Sequence, residues 1–240
     1  MTTSEIWTQE AKGQYLVHTP RVEEAHFHWL DPEAWGLSAQ PVAEGGRGAA
    51  WFLSGPRGEW VLRHYRRGGL PARLLKQRYL FLGRHRVRAV REFRLLESLH
   101  HQGLPVPRPV IAGYERGLFS YRAAIIVERL PDTRPLLSFQ SPDDAVHWSA
   151  AGRCIRRFHD AGVFHADLNP ANILIQTSTG KVFLIDFDRG CQHHHHRPDT
   201  GWKQANLRRL SRGVHKYWPE TAKPQAEQLL QALLRDYRLE

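Results

Sequence analysis

Phe164-His-Ala-Asp-Leu-Asn-Pro-Ala-Asn-Ile-Leu-Ile175, followed by Leu184-Ile-Asp-Phe-Asp188, is the stretch that decides the fold. Asp167 stands five residues before Asn172, and the apolar run Ile173 to Ile175 follows at once. Asp186 closes a second apolar run, Val182 to Ile185. Two short strands joined by the Thr177-Ser-Thr-Gly180 turn would carry Asp167, Asn172 and Asp186 to one end of a hairpin. A carboxylate to receive a hydroxyl proton, with a carboxamide and a second carboxylate to hold Mg²⁺, is the equipment of ATP-dependent phosphoryl transfer. Either half alone has an ordinary turn composition; both in this order, each with its apolar run, point to that chemistry.

Working outward, the chain is long enough for one large domain or two small lobes, and its 41% hydrophobic content can fill a core. Cys154 and Cys191 have neither metal-like nor disulfide-framework spacing, which suits a reducing compartment. Met1-Thr-Thr-Ser-Glu-Ile-Trp7 has no basic or apolar leader pattern, and no stretch approaches the apolar length of a membrane span. A soluble or peripheral cytoplasmic protein is expected. The net charge is +10, carried by 28 Arg against 6 Lys. Between Arg63 and Arg94 there are ten Arg and one Lys against a single acid, Glu92. A block this one-sided favours phosphates, an anionic membrane surface or nucleic acid as partner.

Upstream, Gly45, Gly46 and Gly48 open into the apolar run Ala49 to Leu53, and Gly55-Pro-Arg-Gly58 turns the chain into Glu59 to Tyr65. Glycines between two strands let backbone N–H groups approach a triphosphate. No Gly-Lys-Ser/Thr follows, so this is not a Walker loop. Arg63 occupies the returning strand, with Arg66 and Arg67 beyond it, and no lysine lies between Lys12 and Lys76. Ala72 to Leu82 reads as a short basic helix. Val87 to His101 reads as a helix, with Val90, Phe93, Leu96 (or Leu95) and Leu99 on one face and Gly103 as its stop. Glu92 and Glu97 are its acids, and Glu97 reads as a surface residue. Val110–Tyr114 and Tyr121–Val127 read as strands, and Glu128 to Leu130 leaves the sheet. Ser141-Pro-Asp-Asp144 starts a helix to about His159, buried through Trp148, Ala151, Ile155 and Phe158. His193 to His196 have no completing acid or cysteine at ligand spacing, so a loop touching an anionic substrate is favoured over a metal site. Trp202–Tyr217 and Ala222–Tyr237 close the chain as helices.

His165-x-Asp-Leu-x-x-x-Asn172 with Asp186-Phe resembles the paired motifs of the protein-kinase-like fold. That resemblance implies an α+β, two-lobe fold: a small antiparallel-sheet N-lobe with one main helix, and a compact, mostly helical C-lobe. The expected divisions are an N-terminal extension over 1–30 packed on the N-lobe, the N-lobe over 31–130 and the C-lobe over 131–240. Together with Val61-Leu-Arg-His-Tyr-Arg-Arg-Gly-Gly69 and Gly46-Arg-Gly48, the Asp186-Phe-Asp-Arg-Gly190 ending is similar to the 3-deoxy-D-manno-octulosonic acid (Kdo) kinases of lipopolysaccharide core assembly. The resemblance implies ATP-dependent phosphorylation of a Kdo hydroxyl, expected at the 4-position, on a lipid A precursor at the cytoplasmic face of the inner membrane. Asp167 then deprotonates the hydroxyl, and Asn172 and Asp186 hold Mg²⁺. Arg63, paired with Glu92, contacts the nucleotide phosphates under Gly45, Gly46 and Gly48, and Glu128 and Leu130 supply the hinge. Arg66, Arg67, Asp188 and Arg189 are the candidate substrate contacts.

Two departures bear on this reading. Arg63 stands where the fold carries lysine, and Asp188 replaces the usual glycine after Asp-Phe. Only about 50 residues follow Asp188, with no Ala-Pro-Glu segment, which favours a small or lipid-borne acceptor over a protein. The alternatives are a related kinase for a heptose, a small molecule or a protein, and an inactive basic module for membrane or phosphate. Nucleic acid is not expected, since no reading motif is present, and no obligate protein partner is legible.

Overall fold

The computed structural model describes residues 5–42, 50–65, 78–193 and 201–238. They fall into two compact units, one of residues 1–98 and 107–129 and the other of 99–106 and 130–240.

The first unit is a sheet, eight-stranded among the described residues: β1 (Ile6–Ala11), β2 (Gln14–His18), β3 (Ala39–Pro41), β4 (Ala50–Gly55), β5 (Gly58–His64), β6 (Tyr79–Leu80), β7 (Pro109–Arg116) and β8 (Ser120–Glu128). The strand order is β1-β2-β7-β8-β5-β4-β3, with β6 added to β8, and every pairing is antiparallel. Residues 5–18 thus extend the sheet through the β2–β7 pairing, Leu16 opposite Gly113. One face of β5 buries Trp60 and Leu62 in a cluster with Leu53, Ile111 and Ile126, capped by Trp29 and Leu30. The two-residue period then turns Val61 and Arg63 to the opposite face. Helix α1 (Arg88–His101) buries Val90, Phe93 and Leu96, whereas Leu95 is only half-buried.

Two expectations are corrected here. The end of the expected basic helix is strand: Tyr79 is buried and stacks on Tyr121 at 5.5 Å, while Leu80 faces solvent, an alternation of period two. Its earlier part lies outside the described residues. Glu97 is not a surface residue but 4% exposed, and it accepts from Arg21 at 3.0 Å.

The second unit holds β9 (Thr133–Pro135), α2 (Ala145–Asp160), β10 (Val163–Phe164), β11 (Ile173–Gln176), β12 (Val182–Leu184), β13 (Cys191–Gln192), α3 (Gly201–Tyr217) and α4 (Lys223–Arg238). The capping box before α2 forms, with Asp144 accepting from the Ser141 N–H at 2.8 Å. α2 packs on α4 so closely that a Cβ on Gly152 would lie 2.1 Å from the Leu233 carbonyl oxygen. Only glycine permits that approach.

Candidate active site

Two short pairings hold the chemistry-bearing stretches together. β10 pairs β13, Val163 opposite Gln192, and the hairpin β11–β12 pairs Ile173 with Leu184. His165–Asn172 and Ile185–Gly190 are therefore clamped at both ends, and the Ile185 N–H donates to the Asn172 carbonyl at 3.1 Å. The hairpin reverses through Gly180, whose φ of 70° a side chain would resist.

His165 is 2% exposed and orders the loop. The Asp167 N–H donates to its Nδ1 at 3.2 Å, so Nε2 carries the proton and donates to the Ile185 carbonyl at 2.9 Å. The ring lies 4.7 Å from that of Phe187, which is buried against Phe158. Phe187 is thus an anchor that sets Asp186 and Asp188 on either side of it. Asp186 adopts a φ of 62° and Arg189 one of 60°. Left-handed backbone at non-glycine positions is uncommon and concentrates at functional sites. The Asp188 N–H reaches the Asp186 carboxylate at 3.4 Å.

Asp167 is exposed, and its carboxylate meets Arg209 of α3 at 3.2 Å. Its carbonyl accepts from Asn172 Nδ2 at 2.9 Å and from Asn169 Nδ2 at 3.0 Å. Since only the NH₂ group can donate to a carbonyl, Asn172 turns its Oδ1 away from that bond. Asp167, Asn172 and Asp186 thus share one hairpin end.

Beneath the loop, Asn206 of α3 is 1% exposed and grips the backbone of His165 from both sides. Its Oδ1 accepts the His165 N–H at 3.1 Å, and its Nδ2 donates to the His165 carbonyl at 2.9 Å. The same Oδ1 lies 3.3 Å from Nε2 of His159, whose Nδ1 is 2.8 Å from the Tyr237 hydroxyl. Burial pushes the His159 pKa down to about 4, against the raising effect of the Asn206 bond. The neutral ring donates to Asn206 through Nε2 and accepts from Tyr237 at Nδ1. α3 can lie this close because Gly213 faces Asn169 and Pro170, where a Cβ would come to 3.1–3.2 Å.

In the first unit, Arg63 Nη2 bonds the Glu92 carboxylate at 2.5 Å, and the Tyr65 hydroxyl donates to the same carboxylate at 2.5 Å. Glu92 is 3% exposed. Glu128 ends β8, its N–H held by the Arg108 carbonyl at 2.8 Å. Leu130, in the second unit, accepts from the Thr133 hydroxyl at 3.0 Å. Gly45, Gly46, Gly48, Arg66, Arg67 and His194 to His196 lie outside the described residues. His193 packs its ring 5.1 Å from that of Trp202.

Residues 32–237 match the model of the lipopolysaccharide kinase (Kdo/WaaP) family. The chain belongs to that family. It is 42% identical over 227 residues to a 3-deoxy-D-manno-octulosonic acid kinase of Xylella fastidiosa (strain M12), covering 94% of this chain and 87% of the relative. It is 45% identical over 205 residues to the protein of that name from Stenotrophomonas maltophilia (strain K279a), covering 85% and 81%. A solved structure of WaaP in complex with acyl carrier protein has a TM-score of 0.50 at 19% identity, over 85% of this chain and 84% of that one. That likeness supports the α+β, kinase-like fold.

Membership of a kinase family implies ATP as substrate. For a lipopolysaccharide kinase of this family, the donor set fits a divalent cation. No cluster of three His, Cys, Asp or Glu able to hold a metal occurs among the described residues. Mg²⁺ needs none, since one or two protein oxygens plus phosphates and water satisfy it. Sequence reasoning missed Asn206 and Arg209. An asparagine inside a helix is a poor helix former, and that was the available signal for Asn206. Arg209 carried none beyond the basic side of its helix.

Proposed function

We propose that this chain transfers the γ-phosphoryl group of ATP to the 4-hydroxyl of a Kdo residue on a lipid A precursor, at the cytoplasmic face of the inner membrane. The reading is carried by the 42–45% identity to relatives named 3-deoxy-D-manno-octulosonic acid kinase, over most of the chain. The common hairpin end of Asp167, Asn172 and Asp186 supports it.

In this reading Asp167 accepts the proton of the sugar hydroxyl as its oxygen bonds the γ-phosphorus and the bond to the β–γ bridging oxygen breaks, releasing ADP. Arg209 holds the Asp167 carboxylate toward the acceptor. Asn172, through Oδ1, and Asp186 would hold Mg²⁺, which supplies charge neutralisation on the phosphates. Arg63, fixed by Glu92 and Tyr65, contacts the nucleotide phosphates under the glycine loop of Gly45, Gly46 and Gly48. Glu128 and Leu130 flank the adenine, and Arg66, Arg67, Asp188 and Arg189 meet the acceptor. No helix among the described residues is long and apolar enough to cross a membrane. The lipid substrate is then met at the anionic inner-membrane surface.

The test is transfer of labelled γ-phosphate to Kdo-bearing lipid A precursor. Asp167→Ala should lower turnover by about two to three orders of magnitude while ATP still binds. Asp186→Ala should weaken Mg²⁺-dependent nucleotide binding. Wild-type protein that binds ATP but labels no Kdo acceptor would refute the assignment of substrate. A less than tenfold loss in Asp167→Ala would refute the assignment of the base.

A further inference from the structure

The first unit carries an apolar surface that its fold does not use. β7 and β8 are joined by a tight turn in which the Gly117 N–H donates to the Ser120 carbonyl at 2.7 Å. Its central residues are Leu118 and Phe119, 82% and 72% exposed. Such positions ordinarily hold Gly, Asn, Asp, Pro or Ser, which turn easily and like water. Beside them runs a second stretch, tied on by the Leu80–Ser120 register and by the Phe81 N–H donating to the Phe119 carbonyl at 3.0 Å. It adds Leu80 and Leu82, 62% and 59% exposed. Two segments paired to each other thus expose four large apolar side chains, and clustered exposed apolar surface of this kind marks an interaction site.

The charge around the patch identifies its partner. Arg78, Arg84, Arg86 and Arg116 are all exposed on the same two segments. Arg116 lies over the Phe81 ring at 4.5 Å, and Arg78 reaches the Ser120 hydroxyl at 3.3 Å, so two of the cations are held beside the apolar tip. The nearby acid Glu115 is in an ion pair with Arg122. An exposed apolar tip flanked by Arg78 and Arg116, with Arg84 and Arg86 exposed further along the same segment, matches an anionic bilayer, which takes apolar side chains into its acyl boundary and guanidinium groups among its phosphates. A second copy of the chain is disfavoured, because it would bring like-charged rims face to face.

We propose that the β7–β8 tip and the adjoining 78–86 segment insert into the surface of an anionic phospholipid bilayer, holding the enzyme where a lipid-borne acceptor resides. The inference deepens the membrane-surface part of the proposed function, and the vesicle-binding and exchange measurements that decide it use neither ATP nor acceptor, so the two stand or fall separately.

The chain is floated with vesicles of phosphatidylethanolamine and phosphatidylglycerol, and with phosphatidylcholine vesicles. Wild type should float with the anionic vesicles and only weakly with phosphatidylcholine. Leu118→Ser/Phe119→Ser should lower binding at least about tenfold. The same variant should keep its melting temperature and its transfer to detergent-dispersed acceptor. Arg84→Gln/Arg86→Gln should weaken binding to the anionic vesicles alone. Hydrogen exchange on wild type needs no variant: amides of 117–121 and 79–82 should gain protection when anionic vesicles are added. Equal flotation of the double serine variant, or unchanged exchange in both segments, overturns the proposal. A wild-type dimer that the same variant dissociates, with vesicle binding intact, would assign the patch to a protein contact instead.

Discussion

Asn206→Ala tests how the reactive loop is held. The substitution removes an acceptor from the His165 N–H and from His159 Nε2, and a donor from the His165 carbonyl. All three lie at a side chain that is 1% exposed, so water does not reach them without rearrangement. A buried polar group left without its partner costs about 1–3 kcal/mol. Three of them would reach about 3–9 kcal/mol, and a water entering the emptied volume recovers part. Alanine also gains about 0.5 kcal/mol as the better helix former. The expected net loss is about 3–4 kcal/mol, a large share of the roughly 5–15 kcal/mol that stabilises a domain. Asn206→Asp keeps the two acceptor bonds but loses the donor and buries a charge, so it should not rescue. Urea unfolding, with the slope compared to wild type, reads the stability. Single-turnover transfer reads the second effect: Asp167 sits two residues beyond His165, and misplacing it should lower kcat about ten- to a hundredfold with little change in KM for ATP. A stability loss under about 1 kcal/mol, with kcat within twofold, would refute the clamp.

Arg63→Ala should cost about 2–4 kcal/mol, because it strips the cation from a carboxylate that is 3% exposed. Arg63→Lys should recover part of that loss, and Arg63→Ala as stable as wild type by urea midpoint would show that the pair is dispensable. His159 makes stability pH-dependent. Its folded pKa of about 4 lies below the ordinary 6.5, so between these values the unfolded chain binds more protons and stability falls as pH falls. From pH 7 to pH 5 this group should remove about 2 kcal/mol, a loss that His159→Gln should lack when urea midpoints are compared at the two pH values. Gly152→Ala should destabilise by about 1–3 kcal/mol despite alanine's helix preference, because its Cβ would lie 2.1 Å from the Leu233 carbonyl oxygen. A melting temperature equal to or above wild type would contradict that packing.

What the sequence determined by itself was local. The hairpin β11–β12 was legible because its two apolar runs and the Gly180 turn are specified within a dozen or so residues. α1 and α2 were legible because their apolar residues recur at helical spacing and Ser141 and Asp144 write the start of α2 into four consecutive positions. The motif spacing also carried Asp167, Asn172 and Asp186 to one place, since strand register converts sequence distance directly into space. Tertiary structure decided which distant side chains become partners. Tyr79 enters a strand because Tyr121 offers it a buried ring to stack on, which overrides the helical pattern of its neighbours. Glu97 is buried because Arg21, 76 positions away, answers its charge. Asn206 acts on His165 across 41 positions, and nothing in the periodicity of either segment encodes that bond. The physical reason is that propensity and alternation act over a few residues, whereas the pairing of a buried polar group is fixed by whichever element the fold packs beside it.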